Sequence, residues 1–422
     1  MARGEKGLRG GGQAAGRGLG SPQQLRQPWG ERMVGTILEL VVGVALLAAA
    51  VFFLLVPAIA EARMNRVIPH EPWPVSPAAQ ALHDRLVVGD WHCDSLLWNR
   101  DLTRRGTRGH VDLPRLREGN VALQVFTTVT KVPAGINVRE NLGKTRDRIT
   151  LLAIGQLWPV RAWGSLCERG LHQAARLHRF AAKAPDGLRV LRTKADLAML
   201  MADRARGAKV VGAILGAEGA HVLDARLENL DRLWDAGFRL IGLHHFLDTE
   251  VGGSLHGASH AGLTDYGRRL VRDLVAKGFI LDLTHSSVQT ARDVLAMTEV
   301  PLVVSHTGIC SYCQSPRNFP DDLMVAIMAR GGVAGIGYWQ EVIGDPSPDG
   351  IAGAVKAAVA LLGADHVSLG SDFDGAVPEP FDVSELAALT DALLRAGLDE
   401  AVIAKVMGGN MARLLAQMLP EA

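Results

Sequence analysis

From residue 86 onward the chain repeats one pattern eight times: a short, continuously apolar run, a polar break and, in most cases, a stretch with helical spacing. The runs lie at 86–90, 120–126, 209–216, 239–243, 279–283, 301–305, 332–337 and 366–370. Apolar runs without alternation suit strands covered on both faces, which is the situation in parallel sheets. Between them, 265–277 places Leu270, Val271, Leu274 and Val275 on one stripe, and Gly278 follows as a stop. Residues 322–330 and 351–362 are patterned the same way. Strand and helix in alternation predict a parallel α/β sheet. Eight such units in roughly 330 residues predict a closed (β/α)8 barrel of the TIM type rather than an open sheet. The interval 127–208 is too long for one crossover and is expected to hold two or three inserted helices.

The barrel does not account for the amino terminus. Residues 1–32 hold nine Gly, six Lys or Arg and two Glu, a net charge of +4, and 1–35 reads as a disordered tail. Residues 40–60 carry no charge and are bracketed by Glu39 and Glu61. As a helix this run spans ~30 Å, the thickness of a bilayer core, so 36–60 is expected to be a transmembrane helix. Basic residues before it outnumber Arg63 and Arg66 after it. The positive-inside rule then keeps the tail cytoplasmic and sends the rest of the chain across, to the periplasm or the cell exterior. Ala58-x-Ala60 also permits signal cleavage, but the run is longer than a usual signal core, which favours an uncleaved anchor. Pro69, Pro72, Pro74 and Pro77 make 61–80 a stiff linker, leaving 81–422 for the barrel.

A net charge of +1 offers nothing to nucleic acid. The four cysteines, Cys93, Cys167, Cys310 and Cys313, form no disulfide framework. Cys310-x-x-Cys313 lacks a second CxxC, so it reads as a pair of ordinary loop cysteines or one member of a disulfide with Cys167.

The residues at the carboxyl ends of the runs carry the chemistry. The first ends in His92-Cys93-Asp94, the third in Glu218, the fourth in His244-His245, the fifth in His285, the sixth in His306 and the eighth in Asp372. In a (β/α)8 barrel all these ends open onto one mouth. Taken singly, each has an ordinary explanation as a solvated loop histidine or a helix-capping carboxylate. Six strand ends bearing metal-type residues do not. His244, His256 and His260 duplicate a strand end or fall outside the pattern and read as ordinary residues. Imidazole and carboxylate without thiolate suit catalytic zinc. His92 and Asp94, two apart in an extended segment, point to the same side. Three histidines and two acids exceed what one tetrahedral ion with an open position takes, and a bridging carboxylate lets two ions share them.

These residues resemble the membrane (renal-type) dipeptidases, peptidase family M19, among the amidohydrolase-like metal barrels. The matching pieces are Asp90-Trp-His-Cys-Asp94, the stretch from His110 to Asn120, Ala217-Glu-Gly219, Leu243-His-His-Phe246, Gly262-Leu-Thr-Asp-Tyr-Gly267, Asp282-Leu-Thr-His285, Ser305-His306, Arg317-Asn-Phe-Pro-Asp-Asp322 and Gly370-Ser-Asp-Phe-Asp-Gly375. The resemblance implies a metallo-dipeptidase with two Zn2+. His92 and Asp94 would bind the first ion, His285 and His306 the second, and Glu218 both. His245 would face the scissile carbonyl, Arg317 would hold the free carboxylate of the dipeptide, and Asp372 would serve a metal-activated hydroxide as proton shuttle. Asp374 ranks below Asp372. The family also implies a homodimer and acceptance of a D-residue at the second position.

Three departures stand out. Cys93 replaces an Asn common between the first two ligands, a Tyr in a substrate loop of the family's animal members has no clear counterpart near Tyr338–Val342, and the amino-terminal span takes the place of a carboxyl-terminal lipid anchor. Two other readings share the same mouth: an amidohydrolase opening β-lactams or cyclic amides, and a catalytically inactive membrane-anchored receptor barrel.

Overall fold

The computed structural model describes residues 29–143 and 145–421, so residues 1–28 of the expected disordered tail lie outside them. The chain divides into two compact units, the second beginning at Val51. Among the described residues are nine strands: β1 (Val88–Cys93), β2 (Val121–Val129), β3 (Leu188–Val190), β4 (Val211–Glu218), β5 (Phe238–Gly242), β6 (Ile280–Asp282), β7 (Leu302–Thr307), β8 (Val333–Ile336) and β9 (Val367–Leu369). Their order is β2-β1-β9-β8-β7-β6-β5-β4, and β4 pairs back to β2, so eight parallel strands close into a barrel. Each of the eight apolar runs supplies one of these staves.

β3 is the addition. It pairs with Val211–Ala213, on the edge of β4 whose other half, Leu215–Ala217, pairs with β5. Three residues carry no period, so hydropathy alone does not reveal such a strand. The long interval holds four helices, three beyond the one that a single crossover needs: Arg148–Gly155, Arg161–Gly164, Leu166–Lys183 and Lys194–Ala205. Pro159 and the capping Ser165, which accepts from Glu168 N, divide its first part.

One apolar cluster joins Trp91, Leu123, Ile214, Leu240, Ile280, Val303 and Val333 from the strands to Met411, Leu414 and Leu415 of the helix Asn410–Met418. A second and larger cluster packs the outer helices on the strands. The helix Asp265–Lys277 is typical of them. Thr264 caps it by accepting from Gly267 N, Gly278 ends it at φ 86°, and Leu270, Val271 and Leu274 are buried. Each such side chain contributes about 1.5–3 kcal/mol on burial.

The segment read as a linker is built into the second unit. Glu61 and Asn65 are buried, Val67 bridges to Glu379, and Ser76 caps the helix Pro77–His83. Ahead of it, Arg32–Met64 is helical over 33 residues with a mean hydropathy of 2.8 in its most apolar window, long and apolar enough to cross a membrane. All four cysteines are free, so Cys167 makes no disulfide.

Candidate metal centre

The barrel brings all eight expected residues together. His92 and His306 are penultimate in β1 and β7, Asp94 follows β1, and Glu218 ends β4. His245, His285 and Asp372 each lie three residues past β5, β6 and β9. His285 (φ 65°) and Asp372 (φ 62°) adopt left-handed backbone, a strain of about 1–3 kcal/mol each that persists only where the surroundings enforce it. Gly219, after Glu218, turns at φ 97°, and a Cβ there would meet the His221 ring at 2.3 Å.

Glu218 is the hub. Its Oε1 lies 3.5 Å from His92 Nε2, 3.2 Å from His285 Nε2 and 3.5 Å from His306 Nε2, and its Oε2 lies 3.3 Å from His245 Nε2. On the far side of His92, Nε2 is 3.6 Å from Asp94 Oδ1 and 3.9 Å from Asp372 Oδ1. Two of the nitrogens, His285 Nε2 and His306 Nε2, are only 3.2 Å apart.

The hydrogen bonds behind these rings decide which nitrogens carry protons. His306 Nδ1 donates to Ser305 Oγ (2.9 Å), whose hydroxyl donates to Asp282 Oδ2 (2.6 Å). His285 Nδ1 donates to His256 Nε2 (3.0 Å), and His256 Nδ1 donates to the Val138 carbonyl (2.6 Å). Both Nε2 lone pairs therefore face the same point. Such an arrangement is repulsive by itself and fits a cation between the rings. His256, read from the sequence as an ordinary loop residue, is thus the group that orients His285. It sits on no strand end, so no spacing signals it.

The electrostatics agree with a cation site. Burial pushes Glu218 well up, and the neighbouring Asp94 carboxylate adds to the rise. Burial likewise raises Asp372, to about 7. Burial works against a charge on His92, but the carboxylates of Glu218, Asp94 and Asp372 prevail and push it up to about 10. Burial thus favours the protonated forms of Glu218 and Asp372, and a cation bound beside them would favour the carboxylates instead. Asp374 is turned away from the cluster, held by Ser95 Oγ at 2.5 Å, by His110 N at 2.6 Å and by Arg100.

Above the cluster is a cavity of about 580 Å³ lined by Asp94, Glu218, His245, His285, Arg317 and Asp372 on its polar side. Trp98, Val129, Phe246 and Trp339 are among its apolar walls. Arg317 is buried, donates to the His306 carbonyl at 3.0 Å and lies 5.7 Å from the Trp339 ring centre. Burial lowers its pKa to about 10, against the pull of Asp372 and Glu218, and it stays charged at neutral pH.

Residues 77–419 match the family model for membrane dipeptidase, peptidase family M19. The chain belongs to that family. As an M19 member it is a metal-dependent dipeptidase, a hydrolase of peptide bonds. Among curated relatives, dipeptidase aclJ of Aspergillus oryzae is 27% identical over 364 residues, 81% of this chain and 80% of that protein. Dipeptidase verJ of Clonostachys rogersoniana is 31% identical over 212 residues, 49% of this chain and 55% of that protein. Two solved structures superpose over 79% of this chain and 99% of their own. One is dipeptidase AC, an M19 metallopeptidase, with 26% identity and a TM-score of 0.65. The other is a metallopeptidase from Rhodobacter sphaeroides liganded with a phosphinate mimic of the dipeptide L-Ala-D-Ala, with 25% identity and a TM-score of 0.64.

Proposed function

We propose that this M19 dipeptidase cleaves small dipeptides with two zinc ions, His92 and Asp94 holding one, His285 and His306 the other, and Glu218 both. One observation carries the reading: three imidazole Nε2 atoms stand within 3.5 Å of a single oxygen of Glu218. Nitrogen and carboxylate donors suit zinc, and two ions use a ligand set too large for one. Bound there, the ions supply Lewis acidity, lowering the pKa of a water from about 16 towards 7 and polarising the scissile carbonyl.

The remaining work falls to this chain's side chains. Asp372, 3.9 Å from His92 Nε2, takes the proton of the attacking water and returns it to the leaving amine. His245 Nε2 lies 3.3 Å from Glu218 Oε2, on the side of the ring that faces the cluster, and we assign a proton to that nitrogen in the substrate complex. There it donates to the carbonyl oxygen as negative charge develops, a role typically worth about 3–4 kcal/mol. Arg317 grips the free carboxylate of the substrate through two of its guanidinium nitrogens, which limits length, because a longer peptide carries that carboxylate elsewhere. The apolar walls keep water from the reacting bond.

A D-residue at the second position is supported by the ligand of the Rhodobacter sphaeroides relative. The uncharged run 40–60 and the basic tail before it support a single membrane span, with the amino terminus cytoplasmic and the catalytic unit on the other side.

The test uses the full chain in detergent. Activity on L-Ala-D-Ala and L-Ala-L-Ala disappears on chelation and returns with zinc, and elemental analysis finds two zincs per chain. A stoichiometry of one or none, or no turnover of either dipeptide, refutes the reading.

A further inference from the structure

Beside its mouth the catalytic unit carries an apolar surface that the barrel leaves uncovered. We propose that this surface lies in the lipid bilayer, so that the active-site cavity opens at the membrane interface; this rests on the membrane-anchored reading above.

The argument begins with length. Crossing a hydrocarbon core of ~30 Å takes about 20 apolar residues. The uncharged run begins after Glu39 and ends before Glu61, while the catalytic unit begins at Val51. Only 40–50 precede that unit, too few for a span, so 51–60 must also enter lipid although they belong to the catalytic unit. Their side chains fit that setting: Leu54, Leu55 and Ile59 are 73%, 51% and 46% exposed.

The same segment is locked onto the barrel. Ala60 and Met64 line the cavity. Glu61 is buried and ion-paired with Arg100 Nε at 2.6 Å and Arg108 Nε at 3.1 Å, and Arg100 also binds Asp374, two residues from Asp372. One helical residue, a rise of about 1.5 Å, separates Ile59 on the lipid side from Ala60 on the cavity wall. The mouth has no length of chain with which to stand away from the bilayer.

A second element extends the surface. The helix Arg148–Gly155 packs on this segment so closely that a Cβ at Gly155 would lie 3.2 Å from Pro57 and 3.4 Å from Phe52. One turn earlier on that face, Leu151 is 64% exposed, and beyond the helix Leu157 and Val160 are 70% and 72% exposed. Leu157 is held at φ 56°, a strained conformation for leucine that holds its side chain outward. Arg63 and Arg148, exposed on the same two elements, suit the level of the lipid phosphates. Clustered exposed aliphatic side chains beside a membrane segment mark a lipid-contacting face.

The test reconstitutes the full chain in lipid nanodiscs, with Cys310→Ser and Cys313→Ser leaving only the buried Cys93 and Cys167. A fluorophore is placed at Leu157→Cys, Val160→Cys or, as a control, Met199→Cys, which is exposed on the helix Lys194–Ala205 leading into the start of β4. Lipids carrying a nitroxide on the acyl chain quench 157 and 160 severalfold more than 199. Equal quenching at all three sites overturns the proposal. So does shielding of 157 and 160 that follows the number of chains per disc rather than the nitroxide lipid, since a second copy then covers the face. Failure to enter the discs overturns it together with the anchor. Turnover of a soluble dipeptide, read on the same discs, reports the dipeptidase reading separately.

Discussion

Replacing His256 with Phe removes two hydrogen bonds, from His285 Nδ1 and to the Val138 carbonyl, while keeping a ring of similar size. The His256 ring stacks on Phe246 at 4.7 Å between centres and 25° between planes, a contact Phe can retain. Of the two, the one that reaches the metal centre is the acceptor for His285 Nδ1, 3.0 Å away in a site where both histidines are buried. His285 then either leaves a buried N–H unpaired, at a cost of about 1–3 kcal/mol, or moves its proton to Nε2, the atom that faces Glu218. Either way the second ion of the proposed pair would lose part of its binding energy. Removing such a supporting partner typically lowers metal affinity 10–100-fold, or about 1.4–2.8 kcal/mol. The assay is competition for zinc between the metal-free full chain and a chromophoric chelator, which reads affinity without turnover. His256→Gln, which keeps an acceptor oxygen, recovers much of the loss. Zinc affinity within twofold of the parent for His256→Phe refutes the relay.

Asp372→Asn keeps its metal content but loses about 10²–10⁴-fold in kcat, as expected for removal of a general base and acid; a variant of full activity removes that role. Arg317→Lys raises KM for dipeptides more than it lowers kcat, with a loss of roughly 10–100-fold in kcat/KM, because a single ammonium cannot reproduce a two-point grip. The fold is also acid-sensitive. Burial, with Lys131 nearby, pushes His221 down to about 3, and burial pushes His244 down to about 4, against roughly 6.5 in the unfolded chain. Above pH 6.5 neither state binds these protons and the stability is fully present. As pH falls towards the folded values, the unfolded chain takes up protons the folded chain refuses, at about 2 kcal/mol per histidine by pH 5. Denaturant unfolding at pH 7.5 and 5 measures the loss, His221→Gln reduces it, and an unchanged midpoint between the two pH values contradicts the burial argument.

Hydropathy along the sequence determined the barrel and most of the proposed metal site. Each apolar run overlaps one strand, and parallel closure sends every carboxyl end to one mouth, so the clustering of His92, Glu218, His285, His306 and Asp372 was legible from position alone. The left-handed turns that aim His285 and Asp372 left no such mark, and neither did the three-residue β3. Only the tertiary structure decided the partners behind the proposed ligands. Ser305 and His256 fix protons through contacts across 23 and 29 residues of chain, to Asp282 and His285. The tie from Glu61 through Arg100 to Asp374, which turned an expected linker into part of the wall, reaches across more than 300 residues. Periodicity reports which face of an element is buried. Which polar atoms then meet is set by packing of distant elements, and a loop histidine such as His256 acquires its role only when that packing is complete.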